Sequence, residues 1–344
     1  MTDGPVGVGL VGYGVSGSSL HAPLITAEPR LRLTAVVSSD PDRVHRDLAV
    51  PVVPSVSDLL TDPAIELVVV AVPNAAHSRV TGAALSAARH VVVDKPFTVT
   101  TAEADELIAL AESRDRLLAV FHQRRWDSDY LTVHSCVDRE LLGAVNTYLA
   151  RYDRYRPVPA AQWRDDAVPG AGVLYDLGAH LIDQAIQLFG GPDTVTADVR
   201  AQRPGAAADD YFHVVLGYGP LRVILHAGSL VAAPRPRFEV HGDAGSYVSG
   251  GIDGQIAALL AGRRPGDPGW GIEPPDRYGI LTTTSGSAPT ASVPGAYESF
   301  YSGMADAVRG RGSVPVTAQE GRATVALIER CLESSAAGRT VRLR

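Results

Sequence analysis

The apolar positions along the chain change period near residue 121. Val6 to Val11 is valine-rich, uncharged and runs into glycine, the pattern of a strand buried on both faces. Leu31 to Val37, Leu67 to Val72, His90 to Val93 and Leu117 to Phe121 repeat it. Val50 to Val53 is a shorter candidate, confined by Pro51 to an edge or a strand start. Helical spacing fills the intervals: Ser18 to Ala27, a short turn at Asp58 to Leu60, Ser78 to Ala88 and Thr101 to Arg114. Thr100-Thr-Ala-Glu103 fits a capping box ahead of the last of these. Such alternation predicts an N-terminal α/β domain over residues 1–123, a doubly wound parallel sheet of Rossmann type. Ligands of such sheets bind beyond the carboxyl ends of the strands.

After Asp127 the pattern moves towards period two. Leu131 to Leu142 reads as a helix stopped by Gly143. Val145 to Arg151, Thr194 to Arg203, Tyr211 to Tyr218, Leu221 to Leu230 and Arg237 to Val240 alternate or are β-branched. Gly217-Tyr-Gly-Pro220 and Gly242-Asp-Ala-Gly245 fit hairpin turns. The expectation is an α+β domain over residues 124–344 with an open, mostly antiparallel sheet. Gly262 to Gly295 is rich in Gly, Pro, Ser and Thr and predicts loop, and helices at Ala296 to Arg309 and Thr317 to Ala336 close the chain. An open sheet with an apolar second face needs a cover. The expected cover is another subunit, in a homodimer or homotetramer.

Composition narrows the function classes. The 344 residues suit two domains, and 45% hydrophobic content lets each bury a core. The net charge is −7 and no Lys/Arg block stands out, which argues against nucleic acid or an anionic membrane as partner. Cys136 and Cys331 are far apart, so neither a metal site nor a disulfide framework is expected, and a reducing compartment is. No basic segment followed by an apolar core opens the chain, and the longest apolar runs fall short of the ~20 residues that span a bilayer. The expectation is a soluble, cytoplasmic protein.

Three stretches carry candidate chemistry. Gly12-Tyr-Gly-Val-Ser-Gly17 fits G-x-G-x-x-G between the first strand and the first helix. Gly12 permits the tight turn, Gly14 lets backbone approach a pyrophosphate, and Gly17 lets helix and strand pack closely. Tyr13 and Val15 join them as cofactor contacts. At the end of the second strand an NAD enzyme carries an acid for the ribose 2′-hydroxyl. Here stand Ser38 and Ser39, with Arg43 following. Neutral hydroxyls and a cation favour a 2′-phosphate, hence NADP over NAD, although Asp40 would take the acid's role after a small register shift. Lys95 follows the buried run Val91 to Val93, and Pro96 ends its pairing. A lysine there can stabilise a developing alkoxide; the competing reading is an ordinary surface lysine. Asp176 and His180, four apart in a helical run from Gly172 to Phe189, share a helix face. A carboxylate beside an imidazole suits proton transfer at neutral pH; the competing reading is a solvated face. Arg151 to Pro157 and Gln162 to Arg164 are dense in Arg and aromatics, as a polyol or sugar site requires, or as a solvated edge strand would be.

These motifs occur in one order: Gly12-x-Gly14-x-x-Gly17, Pro73-Asn74-x-x-His77, Asp94-Lys95-Pro96 and Gly172-x-x-x-Asp176-x-Gly178-x-His180. Together they resemble the glucose-fructose oxidoreductase/inositol dehydrogenase (Gfo/Idh/MocA) family over nearly the whole chain. Phe121 to Asp127 and His21-Ala-Pro-Leu24 look like its subgroup of NADP-using scyllo-inositol dehydrogenases. The resemblance implies a catalytic Lys95 with Asp176 and His180, and puts Pro73, Asn74, His77 and Asp94 by the cofactor. Gln123, Arg125, Trp126, Tyr155 and Arg164 join Lys95, Asp176 and His180 as substrate contacts. Asp94 departs from the family's usual Glu, and Gln123 stands where Asn is common. The implied activity is hydride transfer between NADP, or NAD, and a secondary hydroxyl or ketone of a cyclic polyol or sugar. Imine or enone reduction, an NAD-dependent glycosidase and a cofactor-binding regulator without turnover are the alternatives.

Overall fold

The computed structural model describes residues 4–159, 163–233 and 235–343, and of Arg164 the backbone only. Its first sheet holds β1 (Val6–Val11), β2 (Leu31–Val37), β3 (Val52–Val53), β4 (Leu67–Val70), β5 (His90–Asp94) and β6 (Leu118–Phe121). Their order is β3-β2-β1-β4-β5-β6, with every pairing parallel. The sheet thus reverses direction between β1 and β4, the switch point where dinucleotides bind. The continuous valine runs have their predicted cause: every residue of β4 and Val91 to Val93 of β5 are fully buried. Each such side chain contributes roughly 1.5–3 kcal/mol relative to an exposed one.

Helices α1 (Ala22–Ala27), α2 (Pro41–Asp47), α3 (Val56–Leu60), α4 (His77–Ser86) and α5 (Thr101–Ser113) connect these strands. The capping box ahead of α5 forms: the Thr100 hydroxyl accepts from the Glu103 N–H, and the Glu103 carboxylate accepts from the Thr100 N–H. Two differences from the sequence reading matter later. The helix after the glycine loop opens with a π-turn, Gly17–His21, and so does the helix of Asp176, at Leu174–Gly178. Such turns widen the helix by one residue and recur at functional sites.

The second sheet has nine strands in the order β14-β13-β12-β11-β7-β10-β9-β8-β15. These are β7 (Val145–Arg151), β8 (Thr194–Arg200), β9 (Tyr211–Tyr218), β10 (Leu221–Gly228), β11 (Phe238–Gly242), β12 (Gly245–Ser249), β13 (Gly279–Thr283), β14 (Gly286–Thr290) and β15 (Val341–Arg342). Only β7 and β10 pair in parallel. The hairpin β13–β14 overturns the expectation of loop from Gly262 to Gly295. Its edge strand β14 is almost wholly exposed, so it carries none of the alternation that marks a strand in sequence. Helices α6 (Ser128–Asp138) and α7 (Ala179–Phe189) pack on this sheet. Helix α6 starts and stops earlier than its apolar pattern indicated. Short α8 (Gln255–Leu260), α9 (Glu298–Val308) and long α10 (Ala318–Ala337) complete the chain.

The chain forms two compact units. The first comprises residues up to 123 together with 255–270 and 296–322; the second comprises 124–254, 271–295 and 323–344. Among the described residues no helix is long and apolar enough to cross a membrane, and both cysteines are free and buried.

Candidate active site

In the first unit the three loop glycines are separated by what a Cβ would meet. At Gly12, with φ of +99°, it would lie 2.3 Å from the Ala71 carbonyl oxygen. At Gly17 it would lie 2.1 Å from the Gly12 carbonyl oxygen. Both are therefore required by the protein's own packing. At Gly14 a Cβ would meet nothing within 4 Å. Gly14 is thus not demanded by packing, and the open space above it fits the close approach of a pyrophosphate. The helix beyond is entered directly, with the Ser18 N–H donating to the Gly14 carbonyl at 2.9 Å. Tyr13 is buried, and its hydroxyl donates to Asp47 at 3.1 Å. Burial and that carboxylate push the phenol up to about 12. Val15 is 69% exposed, an apolar side chain left open beside the cradle.

At the end of β2, Asp40 has a capping role. The Asp40 carboxylate accepts the Arg43 N–H at 3.0 Å and so caps α2. The Ser38 hydroxyl meets the Asp40 backbone, accepting its N–H at 3.1 Å, and Ser39 is exposed. The Arg43 guanidinium donates to the Ser18 hydroxyl at 3.1 Å, which brings a cation to the mouth of the phosphate helix. The residues present fit a nicotinamide dinucleotide.

Lys95 follows β5, and its bond to Pro96 is cis. The residue beneath it is held from several sides. The Asp94 carboxylate accepts the Lys95 N–H at 2.8 Å and the Ser16 hydroxyl at 2.5 Å, and lies 3.7 Å from His21 Nε2. Burial alone would raise the Asp94 pKa. The neighbouring His21 ring, the charge of Lys95 and the bond from Ser16 hold it well below the usual carboxylate range. His21 is fully buried, sits 4.3 Å from the Phe121 ring and shares a 2.6 Å hydrogen bond with the Tyr301 hydroxyl. Asp94 is thus tied directly to the glycine loop.

The His77 ring is turned inward. It is fully buried, with Nδ1 2.8 Å from the Pro96 carbonyl and Nε2 2.9 Å from the Val72 carbonyl. It links the ends of β4 and β5 and presents nothing to a ligand. Burial lowers its pKa. Asn74 is buried beside it in the chain, and Pro73 is exposed. Gln123 is buried, and its side-chain oxygen has no hydrogen-bond partner among the described residues.

In the second unit, Asp176 and His180 lie on the π-turn and on the first turn of α7 respectively. Two residues before the turn stands Gly172, with φ of +89°, where a Cβ would strike the Asp209 carboxylate at 1.9 Å. That carboxylate accepts the Leu174 N–H at 2.8 Å. Burial raises Asp209 to about 6, against the lowering effect of that bond. Asp176 lines a cavity of about 70 Å³, together with Arg154, Arg156, Asp165, Arg203 and Asp209. His180 is 4% exposed.

Several expected substrate contacts do not line this cavity. Tyr155 is 62% exposed and lies outside this cavity; Arg154, its neighbour, lies inside. The reason is parity. Tyr148, Ala150 and Tyr152 are buried in turn, and in extended chain the same side next presents Arg154. That alternation was the overlooked signal. Arg125 grips Asp183 of α7 through two hydrogen bonds, 2.9 and 2.6 Å, and so braces the helix of His180. Trp126 is half-buried. Gln162 and the Arg164 side chain lie outside the described residues. Among the described residues no group of three or more His, Cys, Asp or Glu side chains is arranged to hold a metal ion.

Comparison with known proteins agrees with both halves. Residues 6–122 match the Gfo/Idh/MocA model described as oxidoreductase family, NAD-binding Rossmann fold. Residues 134–343 match its C-terminal alpha/beta domain. The scyllo-inositol 2-dehydrogenase (NADP(+)) of Bacillus subtilis is 43% identical over 341 residues, covering 98% of this chain and 95% of that protein. An uncharacterized oxidoreductase of Escherichia coli is 44% identical over 333 residues, covering 95% and 96%. A solved oxidoreductase structure from Bacillus subtilis superposes with a TM-score of 0.96 at 42% identity, covering 100% of both chains. One from Yersinia pestis gives 0.95 at 42% identity, covering 99% and 98%. The chain is an oxidoreductase that uses a nicotinamide cofactor, and it belongs to the Gfo/Idh/MocA family.

Proposed function

We propose that this protein is an NADP-preferring dehydrogenase of an inositol-like cyclic polyol or sugar, acting on a secondary hydroxyl and, in reverse, on the ketone. The observation that carries the reading is the polar cavity of the second unit, where Asp176 stands among guanidinium groups. Side chains of this kind bind hydroxyls, and the name of the Bacillus subtilis relative points the same way. A bound nicotinamide ring would supply the hydride acceptor. His180 takes the hydroxyl proton in oxidation and returns it in reduction. Asp176 orients His180 and accepts from a neighbouring hydroxyl. Lys95 donates to the reacting oxygen and stabilises its developing charge. Asn74 and the loop glycines hold the dinucleotide. The NADP preference rests on Arg43, Ser38 and Ser39, with Asp40 engaged in capping.

The protein is also read as a cytoplasmic homodimer or homotetramer. One face of the second sheet leaves Leu149, Val215 and Ile224 half-exposed beside polar neighbours, which suits a second copy of the chain. A monomer mass in light scattering at working concentration would refute the oligomer. The activity is tested with a panel of inositols, pyranoses and their ketones, each with NADP and NAD. Lys95→Ala should still bind cofactor and lose at least ~10²-fold in turnover. Unchanged turnover in that variant removes the mechanism.

A further inference from the structure

Arg154 is a cavity residue to which the proposed mechanism gives no role. It follows β7 on the side of Tyr152 and lines the cavity with Asp176. The volume is several times the ~10–15 Å³ that one water needs, so it admits a group with more than one polar atom. Of the other cations nearby, Arg156 lines the cavity from an exposed position, whereas Arg203, Arg124 and Arg237 are engaged or stacked. Arg203 is paired with Asp210 at 2.7 Å and with Asp165 at 2.8 Å. Arg124 is paired with Asp127 at 3.0 Å and lies over the Tyr152 ring, as does Arg237. The Arg154 backbone is bonded to Gly228 and Val231. Its guanidinium has no hydrogen bond or ion pair among the described residues, although it is only partly exposed. Burial holds its pKa below the ordinary value; the charge of Asp176 opposes this, while Arg156 and Arg124 add to it.

A planar fork of N–H donors thus faces the same cavity as an acceptor carboxylate. The charges decide what this pair suits. Arg154, Arg156 and Arg203 are matched in number by Asp165, Asp176 and Asp209, with Asp210 further neutralising Arg203. A site with no surplus of positive charge gives an anionic ligand no advantage. A neutral ligand with adjacent hydroxyls satisfies both groups, since each hydroxyl can accept from the fork and donate to the carboxylate.

We infer that Arg154 is a specificity-determining residue which, with Asp176, reads a vicinal diol, so that the enzyme requires a free hydroxyl on a carbon next to the one oxidised. This rests on the polyol reading above. A polar group built to bond a substrate hydroxyl rejects the analogue lacking it, because the group is then left buried and unpaired.

The test is a cycle with two variants and two neutral substrates. Wild type, Arg154→Gln and Arg154→Lys are assayed on the best inositol from the panel and on the deoxy-inositol lacking one neighbouring hydroxyl. Wild type should prefer the parent by about 10²-fold in kcat/KM. In Arg154→Gln that preference should shrink to within a few-fold, chiefly through the parent's KM. Arg154→Lys, which keeps the charge and loses the fork, should recover little of it. Equal loss on both substrates, with the preference intact, would overturn the inference, since that marks a structural role. So would an Arg154-dependent preference for a sugar acid over its neutral counterpart. Absence of activity on every polyol in wild type would instead remove the polyol reading itself.

Discussion

The cradle of the first unit is made of backbone, whereas the cavity of the second is made of side chains. Gly12, Gly14 and Gly17 act by lacking a Cβ, at the end of a strand buried on both faces. The chemistry they offer is that of peptide N–H groups at a helix start, which any sequence with those glycines offers. In the second unit Arg154, Asp165, Asp176, Arg203 and Asp209 come from four separate stretches of chain, and their worth depends on which neighbour each one bonds. The adjacent acids Asp209 and Asp210 make the point. Burial raises Asp209 to about 6, while Asp210, though burial also acts to raise it, is held low by the N–H groups of Gln202 and Arg203 and by the Arg203 guanidinium. A backbone site is general and a side-chain site is particular, which suits a common cofactor and a specific substrate.

The largest expected effects would test whether the cradle glycines differ as their surroundings say. Gly17→Ala forces a Cβ onto the Gly12 carbonyl and should lower the melting temperature sharply, by several degrees. Gly14→Val fills only open space and should leave melting within a degree or two while nucleotide affinity falls at least ~10-fold. Fluorescence titration with NADPH alongside thermal melts reads both. Equal melting losses would mean that Gly14 too is a packing residue.

A smaller effect sharpens the cofactor side of the contrast. Arg43 is a side-chain element beside a cradle built of backbone. Arg43→Ala should raise KM for NADP by ~10-fold and barely change that for NAD, as loss of one charge-assisted bond implies. Equal changes with both cofactors would assign Arg43 to the loop alone.

The smallest effect compares the units through pH. His90, in the first, is lowered to about 4, by burial first and then by the charge of Arg116. Its unfolded form binds a proton that the fold refuses, so its contribution is full above pH 6.5 and is lost as pH falls towards 4. Asp209, raised to about 6, has the opposite slope: its contribution is full below about 3.8 and is lost as pH rises through 6. Melting curves between pH 4 and 7 should therefore steepen towards acid in Asp209→Asn and flatten in His90→Gln, by a few degrees at most. A change of slope in the same direction in both variants, relative to wild type, would contradict this assignment.

Much of the first unit was legible because its signals are local. Runs of valine alternating with helical stretches fit strands buried on both faces of a parallel sheet, and glycines at fixed offsets do the same work wherever that turn occurs. Lys95 is readable for the same reason, as a charged residue at the end of a buried strand. Asp176 and His180 are readable as a pair by helical spacing, although the π-turn beneath Asp176 leaves no mark in the residue pattern. His77 shows the limit: a histidine near a cofactor loop reads as a ligand, and only its two carbonyl partners show that it ties β4 to β5.

The sequence by itself determined the parallel sheet, the glycine cradle and the spacing that puts Asp176 and His180 on one helix face. All of these rest on periodicity or fixed spacing, which steric rules convert directly into geometry. Tertiary structure decided the rest. It selected Arg154 over Tyr155, engaged Asp40 as a helix cap, and brought residues 255–270 and 296–322 back to the first unit. It also formed the β13–β14 hairpin from a stretch without apolar alternation. Each of these depends on partners distant in the chain, and a buried charge or an exposed edge strand acquires its role only from the groups that meet it.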